Sequence, residues 1–176
     1  MSEITTLQSA TEKCYLNNKE LAIVQLSDKV TEIGDYAFEG CENLETIILP
    51  EKLLKIGKFA FYNCKKLKTI EFGHFIKSIG RSAFQGCSSL EQVKLFYGIR
   101  EIEPWAFSGC SSLKEITLPD GLDVIGHQAF AGCSKLEKIR LLSSRTSLGY
   151  DVFDEVKECV VEVPACSGEV PDAFGG

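Results

Sequence analysis

The sequence predicts a repeat solenoid, in which short parallel strands from successive coils stack into a sheet along one continuous core. Three observations predict it. A 23-residue period runs through the chain without drift, apolar residues recur at fixed phase within it, and one segment of every copy alternates inward and outward residues. All 176 residues are read as one domain. Residues 1–32 form an N-terminal cap and half coil, 33–147 five repeats, and 148–176 a degenerate sixth unit followed by a cap or the start of another repeat.

The columns justify each element in turn. Ile33-Gly34 recurs as Ile56-Gly57, Ile79-Gly80, Ile102-Glu103 and Ile125-Gly126. Glycine there suits a backbone turning a corner. Ala37-Phe38 recurs as Ala60-Phe61, Ala83-Phe84, Ala106-Phe107 and Ala129-Phe130, and this A-F-x-G-C segment has room for one helical turn and no more. Cys41 recurs as Cys64, Cys87, Cys110 and Cys133, and Leu44 as Leu67, Leu90, Leu113 and Leu136. The pair Ile47/Leu49 recurs as Ile70/Phe72, Val93/Leu95, Ile116/Leu118 and Ile139/Leu141. Alternation puts 47 and 49 inside and 48 outside, as a strand requires. One unit cannot bury these residues alone, but stacked units share a core.

The edges are partial copies. Leu21, Val24 and Leu26 fall one period before Leu44, Ile47 and Leu49. Leu148-Gly149 and Val152-Phe153 open a sixth unit, which loses one residue before Val161-Glu162-Val163. Ala173-Phe174-Gly175-Gly176 resembles another start.

The composite unit I-G-x-x-A-F-x-G-C-x-x-L-x-x-I-x-L-P resembles the BspA-type leucine-rich repeat of bacteria over about residues 21–164. The chain departs from it at Glu103 and Asn63, which replace Gly, and at Gly73, Phe96 and Leu142, which replace Pro. The resemblance implies a right-handed superhelix with the parallel sheet on its concave face and short strands or one-turn helices on the other side. It also implies a protein of the cell surface or a secreted one, engaged in adhesion or protein binding without catalysis or cofactor.

Composition narrows the classes further. With 44% hydrophobic and 25% charged residues the chain has ordinary globular composition, and no stretch approaches the roughly 18 apolar residues of a membrane span. Met1–Lys13 is polar and lacks the apolar core of a signal peptide, which leaves a cytoplasmic location open. A net charge of −6 argues against nucleic acid. Residues 1–51 carry 3 basic and 10 acidic side chains, 52–145 carry 15 and 8, and 146–176 carry 1 and 7. The acidic ends would repel end-to-end stacking of open sheet edges, consistent with a monomer.

Catalytic and metal chemistry find little footing. His74 and His127 are the only histidines, neither sits in a nucleophile motif, and both read as surface residues. There is no C-x-x-C pair for zinc, so the five-cysteine column reads as buried thiols acting as small hydrophobes. Cys14, Cys159 and Cys166 lie outside it, the last two near enough in sequence to pair.

The expected function is therefore a non-enzymatic binding module for adhesion to a protein, host matrix or glycan, working through the concave strand face and adjacent loops. The alternative is an interaction scaffold inside the cell, or a structural segment of a larger surface protein. The outward strand columns supply Ile48, Glu71, Lys94, Thr117 and Arg140, and beside them Gln92, Glu115 and Lys138. Charges alternate along Glu45, Lys68, Glu91, Lys114 and Glu137, and Glu71–Lys94 and Glu115–Lys138 make similar pairs, a pattern suited to fixing coil register. The aromatics Phe96, Tyr97 and Trp105 fall outside the core columns and are the strongest candidates for ligand contact.

Overall fold

In the computed structural model, residues 3–157 and 159–162 are described. They form a solenoid of parallel strands in two sheets. The larger has eight strands: β1 (Ile4–Leu7), β2 (Ile23–Leu26), β4 (Thr46–Ile48), β6 (Thr69–Glu71), β8 (Gln92–Lys94), β10 (Glu115–Leu118), β12 (Lys138–Leu141) and β14 (Val160–Glu162), stacked in that order. The smaller runs through six two-residue strands: β3 (Glu32–Ile33), β5 (Lys55–Ile56), β7 (Ser78–Ile79), β9 (Glu101–Ile102), β11 (Val124–Ile125) and β13 (Ser147–Leu148). Register follows the sequence period, with Ile23 opposite Thr46 shifting to Ile47 opposite Val24, and Glu71 opposite Lys94. The last coil is one residue short, so Lys138 faces Val160.

The core is the set of columns stacked between the sheets. Phe38, Phe61, Phe84, Phe107 and Phe130 are fully buried, with successive ring centroids 4.9–5.3 Å apart and planes nearly parallel. Leu44, Leu67, Leu90 and Leu113 have no exposed surface either. Burial of this kind contributes about 25 cal/mol per Å² of apolar area, and each coil obtains it only from its neighbours.

The N-terminal segment is more than the half coil the repeat suggests. β1 pairs with β2, Ile4 opposite Ile23, at a spacing of 19 residues instead of 23. The missing four lie in the corner after the strand, where Gln8-Ser9 does the work of residues 27–32. From there the coil is in phase: Ala10 accepts the Gly34 N–H as Ile33 accepts that of Gly57, and Tyr15 stacks on Phe38 at 5.1 Å. Ala for Ile and Tyr for Phe hide this coil from a column alignment.

The A-F-x-G-C segment is not a helical turn. Among the described residues there is no helix, and this stretch is a run of tight turns. Two features prevent a helix. The residue before each Ala sits at positive φ (58° at Tyr36, 56° at Phe59, 53° at Ser82, 57° at Trp105, 51° at Gln128), as does the glycine four residues on, at 69° for Gly40. Alternate amides are also directed to the next coil: Tyr36, Phe38 and Gly40 donate to the carbonyls of Lys58, Ala60 and Tyr62. An i→i−4 pattern would forfeit those bonds. The departures from the repeat fit this geometry. Asn63, at φ 57°, takes the left-handed position where other coils use glycine, a conformation asparagine tolerates. The Glu103 carboxylate accepts the Arg81 backbone N–H at 3.0 Å.

The cysteine column is a row of free, buried thiols, and each has a partner. Cys41, Cys64, Cys87, Cys110 and Cys133 have no exposed surface, and each donates Sγ–H to a carbonyl one coil back, from Tyr15, Phe38, Phe61, Phe84 and Phe107, at 3.1–3.3 Å. Cys14 is exposed and Cys159 half-buried, both free, while Cys166 lies outside the described residues. With a haloacetamide under native conditions, Cys14 is expected to react first and the five column thiols only in denaturant. Mass spectrometry of the labelled peptides checks this. Rapid native labelling across the column would contradict its burial.

Candidate functional site

The outer face of the eight-stranded sheet presents the strand residues that point away from the core. Ile48 is 44% exposed, unusual for isoleucine, and Glu71, Lys94, Thr117 and Arg140 continue its column, all exposed. Gln92, Glu115 and Lys138 form the parallel column, and their backbones are in register from strand to strand.

Charge on this face is partly consumed by the solenoid. Lys94 Nζ meets Glu71 at 2.9 Å and Lys68 meets Glu45 at 2.9 Å, with Lys114 and Glu91 further apart at 3.7 Å. These bonds pull the Glu45 carboxyl below its usual range and lift the Lys68 ammonium above its own. The Glu115–Lys138 pair does not close. Lys138 turns to Glu162 at 2.6 Å, and Arg140 reaches the same carboxylate at 2.7 Å, lowering its affinity for protons. The shortened last coil supplies this acceptor, which a strict 23-residue count misplaces by one residue. These groups are exposed or only half-buried, so the pairs contribute little individually.

The aromatic departures split into two groups. Phe96 and Tyr97 follow β8 at the rim of the sheet, and His74 from the previous coil packs against both, its ring centroid 4.3 Å from Phe96 and 5.4 Å from Tyr97. Tyr97 is 69% exposed and Phe75 nearby 52%. Trp105 lies elsewhere, in the turn after β9, ten residues before β10 begins. There its Nε1 donates to Gln128 at 2.7 Å, Arg81 lies over its ring at 4.6 Å and His127 meets it edge-on at 4.2 Å. The sheet thus brings Phe96 and Tyr97 together with the strand residues and leaves Trp105 in a separate cluster.

Phe96 stands as a ridge between two depressions. One, of about 370 Å³, is lined by Thr46, Ile48, Thr69, Glu71 and Phe72 of the sheet and by Glu51, His74 and Phe96 of its rim. The other, about 270 Å³, lies against Lys94, Phe96, Glu115 and Thr117. A third, about 340 Å³, opens at the start of the strands among Gln92, Glu115, Lys138 and neighbouring charges. The first contains His74, which the sequence reads as a surface residue, and Glu51, which the sequence reading does not single out. They stand one period apart, which was the available signal. The Glu51 carboxylate takes both the backbone N–H and Nδ1 of His74, at 3.3 and 2.9 Å, and these bonds hold its carboxyl below the usual range. Among the described residues no group of three or more His, Cys, Asp or Glu side chains is placed to hold a metal ion, and no helix is long and apolar enough to cross a membrane.

Comparison with known proteins places this architecture. The sequence matches the BspA type Leucine rich repeat region in six copies, over residues 8–103 and 78–161. Among solved structures, the leucine-rich repeat protein of T. pallidum is similar, with 30% identity and a TM-score of 0.80, covering 86% of this chain and 75% of that one. A leucine rich cell surface protein from Faecalibacterium prausnitzii shares the fold, with 19% identity, a TM-score of 0.61 and coverage of 92% and 69%. A comparison with curated proteins found no match.

Proposed function

We propose that this chain, a member of the BspA-type leucine-rich-repeat family, is a non-enzymatic adhesion module that binds a protein or glycan through the outer face of its eight-stranded sheet and the rim carrying Phe96 and Tyr97. One observation carries the reading. Large side chains that the stacked core does not use, Ile48, Phe96 and Tyr97, gather with exposed charges at one rim of a rigid sheet. Exposed aromatic and arginine side chains on a rigid platform are typical anchors of binding. The F. prausnitzii relative is described as a cell surface protein, which agrees with adhesion.

The test is an array of glycans and purified matrix proteins probed with the wild-type chain and with Phe96→Ala, Tyr97→Ala and Arg140→Ala. Each variant should keep its melting temperature within about 4 °C of wild type, and Phe96→Ala or Tyr97→Ala should weaken a bound partner about 10- to 30-fold. Binding that persists in high salt points to the aromatic rim, and binding lost there to the charges. If all three variants bind as wild type while substitutions on the six-stranded sheet abolish binding, the site is misplaced.

A further inference from the structure

We infer that the depression between Ile48 and Phe96 is a receptor for an arginine side chain of a protein partner. This deepens the function proposed above and rests on its reading that this face docks a protein.

The lining determines the chemistry. Its polar groups are two carboxylates, Glu51 and Glu71, two threonine hydroxyls, Thr46 and Thr69, and the His74 imidazole, with no lysine or arginine among them. A carboxylate only accepts hydrogen bonds. His74 Nδ1, 2.9 Å from Glu51, must therefore carry the proton and donate. In the neutral ring this fixes Nε2 as an acceptor. The pocket thus offers acceptors at nearly every polar position, and its natural complement is a group made only of donors. Guanidinium carries five N–H donors and no acceptor.

The apolar part of the lining fits the rest of such a side chain. Ile48, Leu49 and Phe72 supply a hydrophobic floor for the methylene stem, and the Phe96 ring supplies a flat wall. Planar guanidinium stacks on aromatic faces, which ammonium does less well. A volume of about 370 Å³ is at the small end of ligand sites, enough for one large side chain.

Charge complementarity points the same way. The charged side chains lining the depression are the carboxylates Glu51 and Glu71, and a smaller hollow beside it is lined by Asp28, Glu51 and Lys52. Lys94 already bonds Glu71 and His74 bonds Glu51. A carboxylate has about four lone-pair sites, and both groups are 60% exposed at the side chain, so each retains room for a second donor.

The experiment is an NMR titration of the full chain with Nα-acetyl-arginine amide, following the backbone amides of Thr46, Thr69, Gly73 and His74. Saturable shifts in the millimolar range are expected at these positions. The neutral isostere Nα-acetyl-citrulline amide and the point-charged Nα-acetyl-lysine amide should each bind at least about fivefold more weakly. Glu51→Gln/Glu71→Gln should weaken the arginine probe by at least about fivefold. Glu20→Gln, outside the depression, should not. Citrulline or lysine binding as well as arginine would overturn the proposal, as would a full response from the double variant or shifts centred elsewhere. If the array still yields a partner lost in Phe96→Ala while the arginine probe fails, only the arginine assignment falls and the adhesive reading stands.

Discussion

Raising the pH from 8 to 10 is expected to remove several kcal/mol of folding stability, on the order of what a domain has in total. The cause is the column of five buried thiols. Burial pushes Cys87 and Cys133 up from the ordinary 9.0 to about 12 and Cys41 to about 11, and lifts Cys64 and Cys110 well above that ordinary value. The neutral thiol is the form the core accepts. In the unfolded chain these cysteines ionise near pH 9, and in the folded chain they cannot. The stabilisation from a raised thiol pKa is therefore fully present below about pH 9 and is lost as pH rises toward 11 or 12. At pH 10 each thiol contributes a loss on the order of 1 kcal/mol, because the unfolded state releases a proton that the folded state retains.

Urea unfolding at pH 7, 9 and 10 checks the expectation. Cys87→Ala should cost about 1–2 kcal/mol at pH 7, through a lost hydrogen bond and a small void. It should also reduce the alkaline slope by about a fifth, because one of five linked protons is gone. A midpoint that stays level between pH 8 and 10.5 would show that the thiols are not held neutral by folding.

Phe84→Ala is expected to cost about 4–5 kcal/mol, near the top of the range for a buried Phe. Phe84 is fully buried, its ring 4.9 Å from Phe61 and 5.2 Å from Phe107, with Phe72 edge-on at 5.8 Å. The change removes three aromatic contacts and leaves a hole that neighbours cannot fill, because each neighbouring ring is itself held by the next coil. For a chain of this size the loss corresponds to a drop in melting temperature of roughly 8–20 °C. The position matters as well as the residue. In a solenoid each coil contacts only its neighbours, so a defect in the middle uncouples the two halves. Calorimetry should show a broadened or split transition for Phe84→Ala and a single shifted one for Tyr15→Ala in the first coil. Equal, sharp transitions for both would mean that the coils do not couple as nearest neighbours.

Much of this fold can be read from the sequence because repetition turns packing into spelling. The Phe, Cys and Leu columns are buried where the period put them, and the residue between Ile47 and Leu49 faces outward, because a stacked coil must repeat its inward residues at one phase. The candidate face was legible for the same reason. The outward columns through Ile48, Glu71, Lys94, Thr117 and Arg140 follow from alternation alone, and Phe96 and Tyr97 stand out as departures from the repeat.

Other features belong to the tertiary structure, since each depends on distances between coils that no column records. The first coil was decided by β1 pairing with β2 across a corner four residues short, which breaks the count that makes repeats visible. The turns around Ala37-Phe38 were decided by amides bonding to the next coil, a claim on the backbone that outweighs local helix formation. Lys138 chose Glu162 over Glu115 because a one-residue deletion moved a carboxylate into reach. Trp105 was drawn into a cluster with Arg81, His127 and Gln128, away from the sheet. Glu51 and His74, each unremarkable by itself, became a bonded polar pair in the lining of one depression because stacking placed them 2.9 Å apart. The sequence by itself determined the period, the core columns and the face turned outward. The tertiary structure decided which outward groups are spent on neighbouring coils and which are not, because that division is set by side-chain reach across a gap of about 5 Å.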